Sequence, residues 1–314
     1  VKAVAVLTLL AAVPLSDLAE GAPSYPTRPI RIIVPYPAGG PTDTTARLIS
    51  PRMSEAFGRQ IIIENRGGAN TLIGTEIVAK APPDGHTLLM VTSTISINPS
   101  TYKKLPYDTL RDLMPVTVVI STPFTMIAHP SLPVRTPADL IKLAKARPGQ
   151  LLYPSSGIGS ANHLAIALLS RMAEIETTHV PYKGTAQWQT DLLAGQVHFA
   201  LTNPVGSLPL ARAGKVRLLA TTGNTRLRMM PEVPTVSESA VRGYEAGNWH
   251  ALFAPAGTPP EIVKRLHAEV VKTLGVADIE SKFTEGGAHI GGMTPDEFAV
   301  FLRGEVAKWA KAVK

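Results

Sequence analysis

The chain has no cysteine among its 314 residues. That excludes disulfides, thiolate nucleophiles and cysteine-based zinc or iron–sulfur centres. Charged residues make up only 18%, with no long block of one sign, so the composition is not that of a disordered chain. Aromatics are 5%, and the basic residues behind the formal charge of +7 are scattered. No basic stripe with interleaved stacking residues results, so nucleic acid is not expected as a partner. The positive excess suits weak steering of anions, or solubility alone. Catalytic signatures are missing as well: the nucleophile elbow, the P-loop, the dinucleotide fingerprint and the H-E-x-x-H zinc motif do not occur. No cofactor and no metal is expected. Past the N-terminus, no stretch is long and apolar enough to cross a membrane.

What is present is enough apolar sequence, 45% of the chain, for two compact domains with a core each. The N-terminus carries Lys2 and then an apolar run from Ala3 to Val13, broken only by Thr8. The run is too short for a bilayer span and reads as an export signal over residues 1–22. Ala22 offers an end to it, although Glu20 and Pro23 are poor neighbours for cleavage. The alternative is a buried first strand or helix.

Further on, strand-like runs alternate with helical ones, which implies parallel sheet built from βαβ units. Thr136-Pro137-Ala138-Asp139, Thr258-Pro259-Pro260-Glu261 and Thr294-Pro295-Asp296-Glu297 each place Thr at a cap, Pro in the first turn and an acid behind it. Val116–Ile127 is long for one strand, and Trp249–Ala254 is a second apolar run beside Gly243 and Gly247. A chain that leaves one α/β domain and returns to it needs two such crossings. The expected division is residues 24–124 plus 246–314 in one domain and 125–245 in the other.

Two glycine-rich loops each follow an apolar run and lead into a helix. The first is Pro35-Tyr36-Pro37-Ala38-Gly39-Gly40-Pro41-Thr42-Asp43, and the second Tyr153-Pro154-Ser155-Ser156-Gly157-Ile158-Gly159-Ser160. Such a loop presents backbone N–H groups and a helix N-terminus to an anion. One in each half suggests a small anionic ligand gripped between two domains.

Each residue has a plainer role beside this one. Gly39 and Gly40, with Ala38 before them as a further candidate contact, allow close approach of a carboxylate; the plainer role of the two glycines is a tight turn that needs positive φ. Asp43 reads first as an N-cap or first-turn acid that orients the loop beside Thr42. Tyr36 stacks on a ligand or packs under the loop. Ser155, Ser156 and Ser160, set around Gly157 and Gly159, suit a carboxylate and equally suit helix capping. His163 is a ligand contact or a satisfied structural imidazole. Lys183 supplies charge to the cleft or lies in solvent. Asn203 and Thr94 each follow a strand end, where α/β clefts form.

The first loop and segments on either side of it carry a resemblance. Tyr25-Pro26-Thr27-Arg28-Pro29-Ile30, Glu64-Asn65-Arg66-Gly67-Gly68-Ala69, Ala79-Lys80-Ala81-Pro82-Pro83-Asp84-Gly85-His86, Leu105-Pro106-Tyr107-Asp108, Val180-Pro181-Tyr182-Lys183-Gly184 and Phe253-Ala254-Pro255-Ala256-Gly257-Thr258-Pro259 occur in order with it. From about Tyr25 to the end the chain resembles the tripartite tricarboxylate transporter substrate-binding proteins of the bacterial periplasm, also called the Bug family. The resemblance implies a two-domain Venus-flytrap periplasmic binding protein of α/β class, each domain a mostly parallel sheet flanked by helices. It also implies a binding protein rather than an enzyme, acting as a monomer that captures a small carboxylate and delivers it to a membrane permease. Both glycine loops would hold one ligand carboxylate through backbone N–H groups and ordered waters. Three stretches depart from the family pattern: Asn70–Gly74, Ala186–Thr190 and Asn203–Gly206. Trp188 within the second either packs outside the cleft or lines it. Two other readings remain: a ligand-responsive sensor that docks on a membrane signalling protein, and a serine hydrolase using Ser156 and His163.

Overall fold

The computed structural model describes residues 25–155, 157–182 and 185–312. The expected leader, Ser156 and Lys183 lie outside the described residues. The first half runs β1 (Ile30–Val34), α1 (Pro41–Phe57), β2 (Ile61–Asn65), α2 (Leu72–Ala79), β3 (Thr87–Thr92), α3 (Thr94–Thr101) and β4 (Leu113–Pro123). The chain then passes into β5 (Thr125–Ala128), α4 (Pro137–Ala146), β6 (Leu152–Ser155), α5 (Ala161–Ala173), β7 (Thr178–Pro181), α6 (Thr185–Leu193), β8 (Phe199–Thr202), α7 (Pro204–Arg212), β9 (Arg217–Thr221) and α8 (Val236–Ser239). It returns through β10 (Gly247–Pro255) to α9 (Pro260–Leu274), α10 (Ala277–Glu285), β11 (His289–Ile290) and α11 (Pro295–Ala312).

The first sheet has the order β11-β4-β10-β3-β1-β2. Apolar side chains alternate across it, as the period of two in a strand requires. Ile30, Ile32 and Val34 pack with Ile49 and Met53 of α1 and Leu266 and Val270 of α9. Ile33, Leu89 and Val91 face the other way, onto Val78 of α2 and Phe298 and Leu302 of α11. Both faces are therefore covered, which explains why these strands read as almost unbroken hydrophobic runs. The second half has β8-β5-β9 and β6-β7, joined where His198 N–H donates to the Leu152 carbonyl. One of its cores packs Leu140 of α4 and Ile166 and Leu169 of α5; the other packs Trp188 and Leu192 of α6.

The sheets are mixed. β1 is parallel to β2 and β3, whereas β10 is antiparallel to β3 and β4, and β5 to β8 and β9. The reason lies at the crossings. β4 leaves the first sheet at Pro123, and β10 re-enters opposite it at Gly247. A strand that enters at the end where its neighbour left must run the opposite way.

The long run Val116–Ile127 thus becomes two strands in two sheets, broken at Phe124. Thr222 clasps both crossings there. Its hydroxyl accepts from Phe124 N–H at 2.7 Å and donates to the Ala246 carbonyl at 2.6 Å, while its own N–H donates to the Phe124 carbonyl. The ribbons lie close: a Cβ on Gly247 would sit 3.0 Å from the Thr122 carbonyl oxygen.

Helix starts follow the sequence signals in two cases out of three. Thr136 forms a reciprocal capping box with Asp139, and Thr294 does so with Glu297. Thr258 does not cap α9; Pro259 takes that place, and the Thr258 hydroxyl donates back to the Pro255 carbonyl.

Candidate ligand-binding cleft

Between the two halves lies a cavity of about 580 Å³. Four helices begin at it: α1 through Gly40, Pro41 and Thr42, α3 through Thr94, α5 through Ser160, Ala161 and Asn162, and α7 through Asn203. The opening residues of an α-helix have N–H groups with no acceptor inside the helix. Pro41 has none to offer, which leaves Thr42 and Asp43 in α1, with Ala161 and Asn162 as the counterparts in α5. The caps Gly40, Ser160 and Asn203 make no side-chain capping bond. Four positive helix ends therefore converge on a space that no Lys, Arg, Asp or Glu lines among the described residues. The depression around Tyr102–Arg111 is of similar size, about 510 Å³, but it draws on the first half alone.

The first loop is locked by the acid behind it. Asp43 is buried, and its Oδ2 accepts from Gly39 N–H at 2.8 Å and from Arg47 Nε at 2.9 Å; Oδ1 accepts from Asn65 Nδ2 at 3.0 Å. The Arg47 hydrogen bond leads the effects that hold this carboxyl below its usual range, against the cost of desolvation. Gly40 N–H turns back to the Pro37 carbonyl. Both glycine amides are thus engaged inside the loop. Tyr36 lines the cleft with its hydroxyl 2.6 Å from Thr92 Oγ1, which in turn lies 3.0 Å from Thr94 Oγ1.

The second loop is closed by neutral groups. Ser155 is fully buried; its Oγ donates to the Gly157 carbonyl at 2.9 Å, receives Gly157 N–H at 3.1 Å and sits 2.6 Å from His179 Nε2. His163 Nδ1 accepts Gly159 N–H at 3.2 Å, and the His163 ring lies 4.0 Å from that of His179. Burial pulls the His163 pKa down to about 4, with His179 as the lesser cause. Ser160 Oγ bonds the Gly157 carbonyl and Asn162 Oδ1.

Of the residues singled out from the sequence, the fold brings Tyr36, Ala38, Gly39, Gly40, Thr42, Thr94, Ser160 and Asn203 together on the cavity wall. Asp43, Ser155, Gly157, Gly159 and His163 are not among the lining residues; their contacts build the two loops. The sequence reading missed Asn70, Asn162, Asn248 and His250, all lining groups. Asn248 and His250 arrive through β10, whose register sets His250 opposite Thr92 of β3. No local motif announces that pairing. Trp188 also lines the cleft, beside Phe124 and Leu201. Among the described residues, no group of three or more His, Asp or Glu is placed to hold a metal, and no helix is long and apolar enough to cross a membrane.

Known proteins give this architecture a context. Residues 45–314 match the tripartite tricarboxylate transporter family receptor. Protein BugT of Bordetella pertussis is 34% identical over 295 residues, which is 93% of this chain and 90% of that protein. An R. palustris protein solved with adipate is 40% identical, with a TM-score of 0.78 over 92% of this chain and 97% of that one. MatC from Rhodopseudomonas palustris, with bound malate, is 31% identical, with a TM-score of 0.74 over 92% of this chain and 100% of that one. With a two-domain α/β fold, a cleft between its halves and likeness over nearly its whole described length, the chain belongs to the Bug/TctC family of tripartite tricarboxylate transporter receptors.

Proposed function

We propose that the protein is an exported, monomeric solute-binding protein that captures a small carboxylate in this cleft and delivers it to a tripartite tricarboxylate-type membrane permease. The observation that carries the reading is the convergence of four helix starts, two from each half, on a space that no charged side chain lines among the described residues. Oriented amides at helix ends stabilise an anion without a buried cation. The adipate and malate in the two related structures are in keeping with it. The reading places the domain boundaries where the sequence suggests them, with 24–124 and 246–314 in one domain and 125–245 in the other. Support comes from the paired crossings at Pro123 and Gly247. Thr42, Thr94, Ser160 and Asn203 are the proposed ligand contacts, with Tyr36, Ala38, Gly39 and Gly40 shaping the wall.

Because contacts come from both halves, a ligand favours the arrangement that brings them together. Thermal denaturation with adipate, malate and their diamides tests this. The acids should raise the melting temperature in a concentration-dependent way and the diamides should not. Equal shifts with acids and amides would remove the carboxylate from the reading.

A further inference from the structure

His250 is 6% exposed and lines the cleft beneath the start of α1. Its Nδ1 lies 2.8 Å from Thr45 Oγ1, and Thr45 Oγ1 also lies 3.0 Å from the Pro41 carbonyl oxygen. A threonine hydroxyl has one hydrogen, and a carbonyl oxygen only accepts. With both bonds made, the Thr45 hydrogen goes to Pro41, so Nδ1 must carry the proton it shares with Thr45. The other ring nitrogen, Nε2, then holds a bare lone pair; among the described residues the hydrogen bond of this ring is the one at Nδ1. Burial pulls the His250 pKa down to about 4. The positive end of α1 acts in the same direction. The ring is therefore neutral at ordinary pH.

An acceptor in a cleft built for anions repels a carboxylate and suits a donor. The donor is not an ammonium, because among the described residues no acid lines the cleft to pair with it. Asp43, next to the lining residue Thr42, has its oxygens taken by Gly39, Arg47 and Asn65. We infer that His250 is a specificity-determining residue whose Nε2 accepts a hydrogen bond from a hydroxyl of the ligand, so that the protein selects hydroxy-carboxylates over their deoxy counterparts. This rests on the carboxylate-binding reading and names the substrate class within it.

Two matched pairs test it: malate against succinate, and mandelate against phenylacetate, titrated calorimetrically into the full chain. In at least one pair the hydroxy acid should bind about tenfold tighter, which is the scale of one neutral hydrogen bond. His250→Phe should bring the two members of that pair together. Thr45→Val releases Nδ1 and lets the ring place its proton on Nε2, so it should shrink or reverse the preference. The nitrogen-15 shifts of the imidazole should show a protonated Nδ1 and a bare Nε2 in the unsubstituted protein, a readout independent of how either variant folds. Equal affinity within both pairs, or a proton on Nε2, would overturn the inference and leave carboxylate capture standing. No binding by any of the four acids would overturn both.

Discussion

The two glycine-rich loops occupy matching places, each between a strand and a helix that begins at the cleft, yet they are held by different chemistry. The first is tied by a buried carboxylate with an arginine and an asparagine behind it. The second is tied by hydroxyls and a pair of imidazoles in tilted contact. The common element is what the glycines do. Gly39, Gly157 and Gly159 all adopt positive φ, and their N–H groups close the loops. The amides left free lie two to four residues after Gly39 and Gly159, at the helix starts. Glycine here shapes the loop, and the helix start supplies the free amides.

The largest expected contrast comes from removing each tie. Asp43→Ala strips a buried acceptor from Gly39 and Asn65 and should cost about 2–3 kcal/mol in urea denaturation. Ser155→Ala removes neutral partners only and should cost about 1–2 kcal/mol, since charge-assisted bonds are roughly twice as strong. Equal losses would mean that the acid contributes no more than a hydroxyl.

The next contrast is in acid. The His163 pKa is lowered to about 4, from the ordinary histidine value of 6.5 in the unfolded chain. Between those values the unfolded state binds a proton that the folded state refuses, so stability falls as pH falls. Asp43 is depressed as well, from the ordinary aspartate value of 3.8, so its contribution is kept until the pH drops below that. His250, lowered to about 4, adds to the histidine limb from the first half. Denaturation midpoints from pH 7 to 4.5 should therefore decline. His163→Asn should flatten part of that decline, whereas Asp43→Asn should leave its slope unchanged. An unaltered slope in His163→Asn would remove the imidazole from the account.

The smallest contrast lies within the first loop. Gly39 has φ +79° and open space around a would-be Cβ, so Gly39→Ala meets backbone strain alone, about 1–2 kcal/mol. Gly40 has φ −75°, and a Cβ there would meet only the Pro37 carbonyl oxygen, at 3.3 Å. Gly40→Ala should stay within about 0.5 kcal/mol. A reversed order would show that space, rather than φ, decides at this turn.

Much of this was legible in the sequence where a local rule was strong. The apolar strands, both loops, the Thr136 and Thr294 caps and the acid behind the first loop follow from residue type and spacing. α3 and α7 were not legible, because each holds an internal proline, Pro99 and Pro209. α3 also presents no amphipathic stripe; Ile95, Ser96, Ile97 and Asn98 are all buried. Val116–Ile127 reads as one apolar run too long for a single strand, but hydrophobicity carries no mark of which sheet each residue of it joins. His250 and Asn248 escaped notice for a related reason: their place at the cleft comes from pairing with β3, far away in sequence. Ser155 ends β6 and His163 lies in the first turn of α5, and one sequence does not show whether such polar groups face outward or each other.

The clasp at Thr222 has a mechanical consequence. Two independent tethers would let the halves swivel and slide. Here both connections are strands of one ladder, stitched side by side at Pro123 and Gly247 and bound by a single buried threonine. Ladder bonds resist shear along the strands, so the soft motion left is a bend of that one ribbon. Opening becomes a single coordinate, like the angle of a door. Ligands of different length would then be registered as different angles of the same hinge.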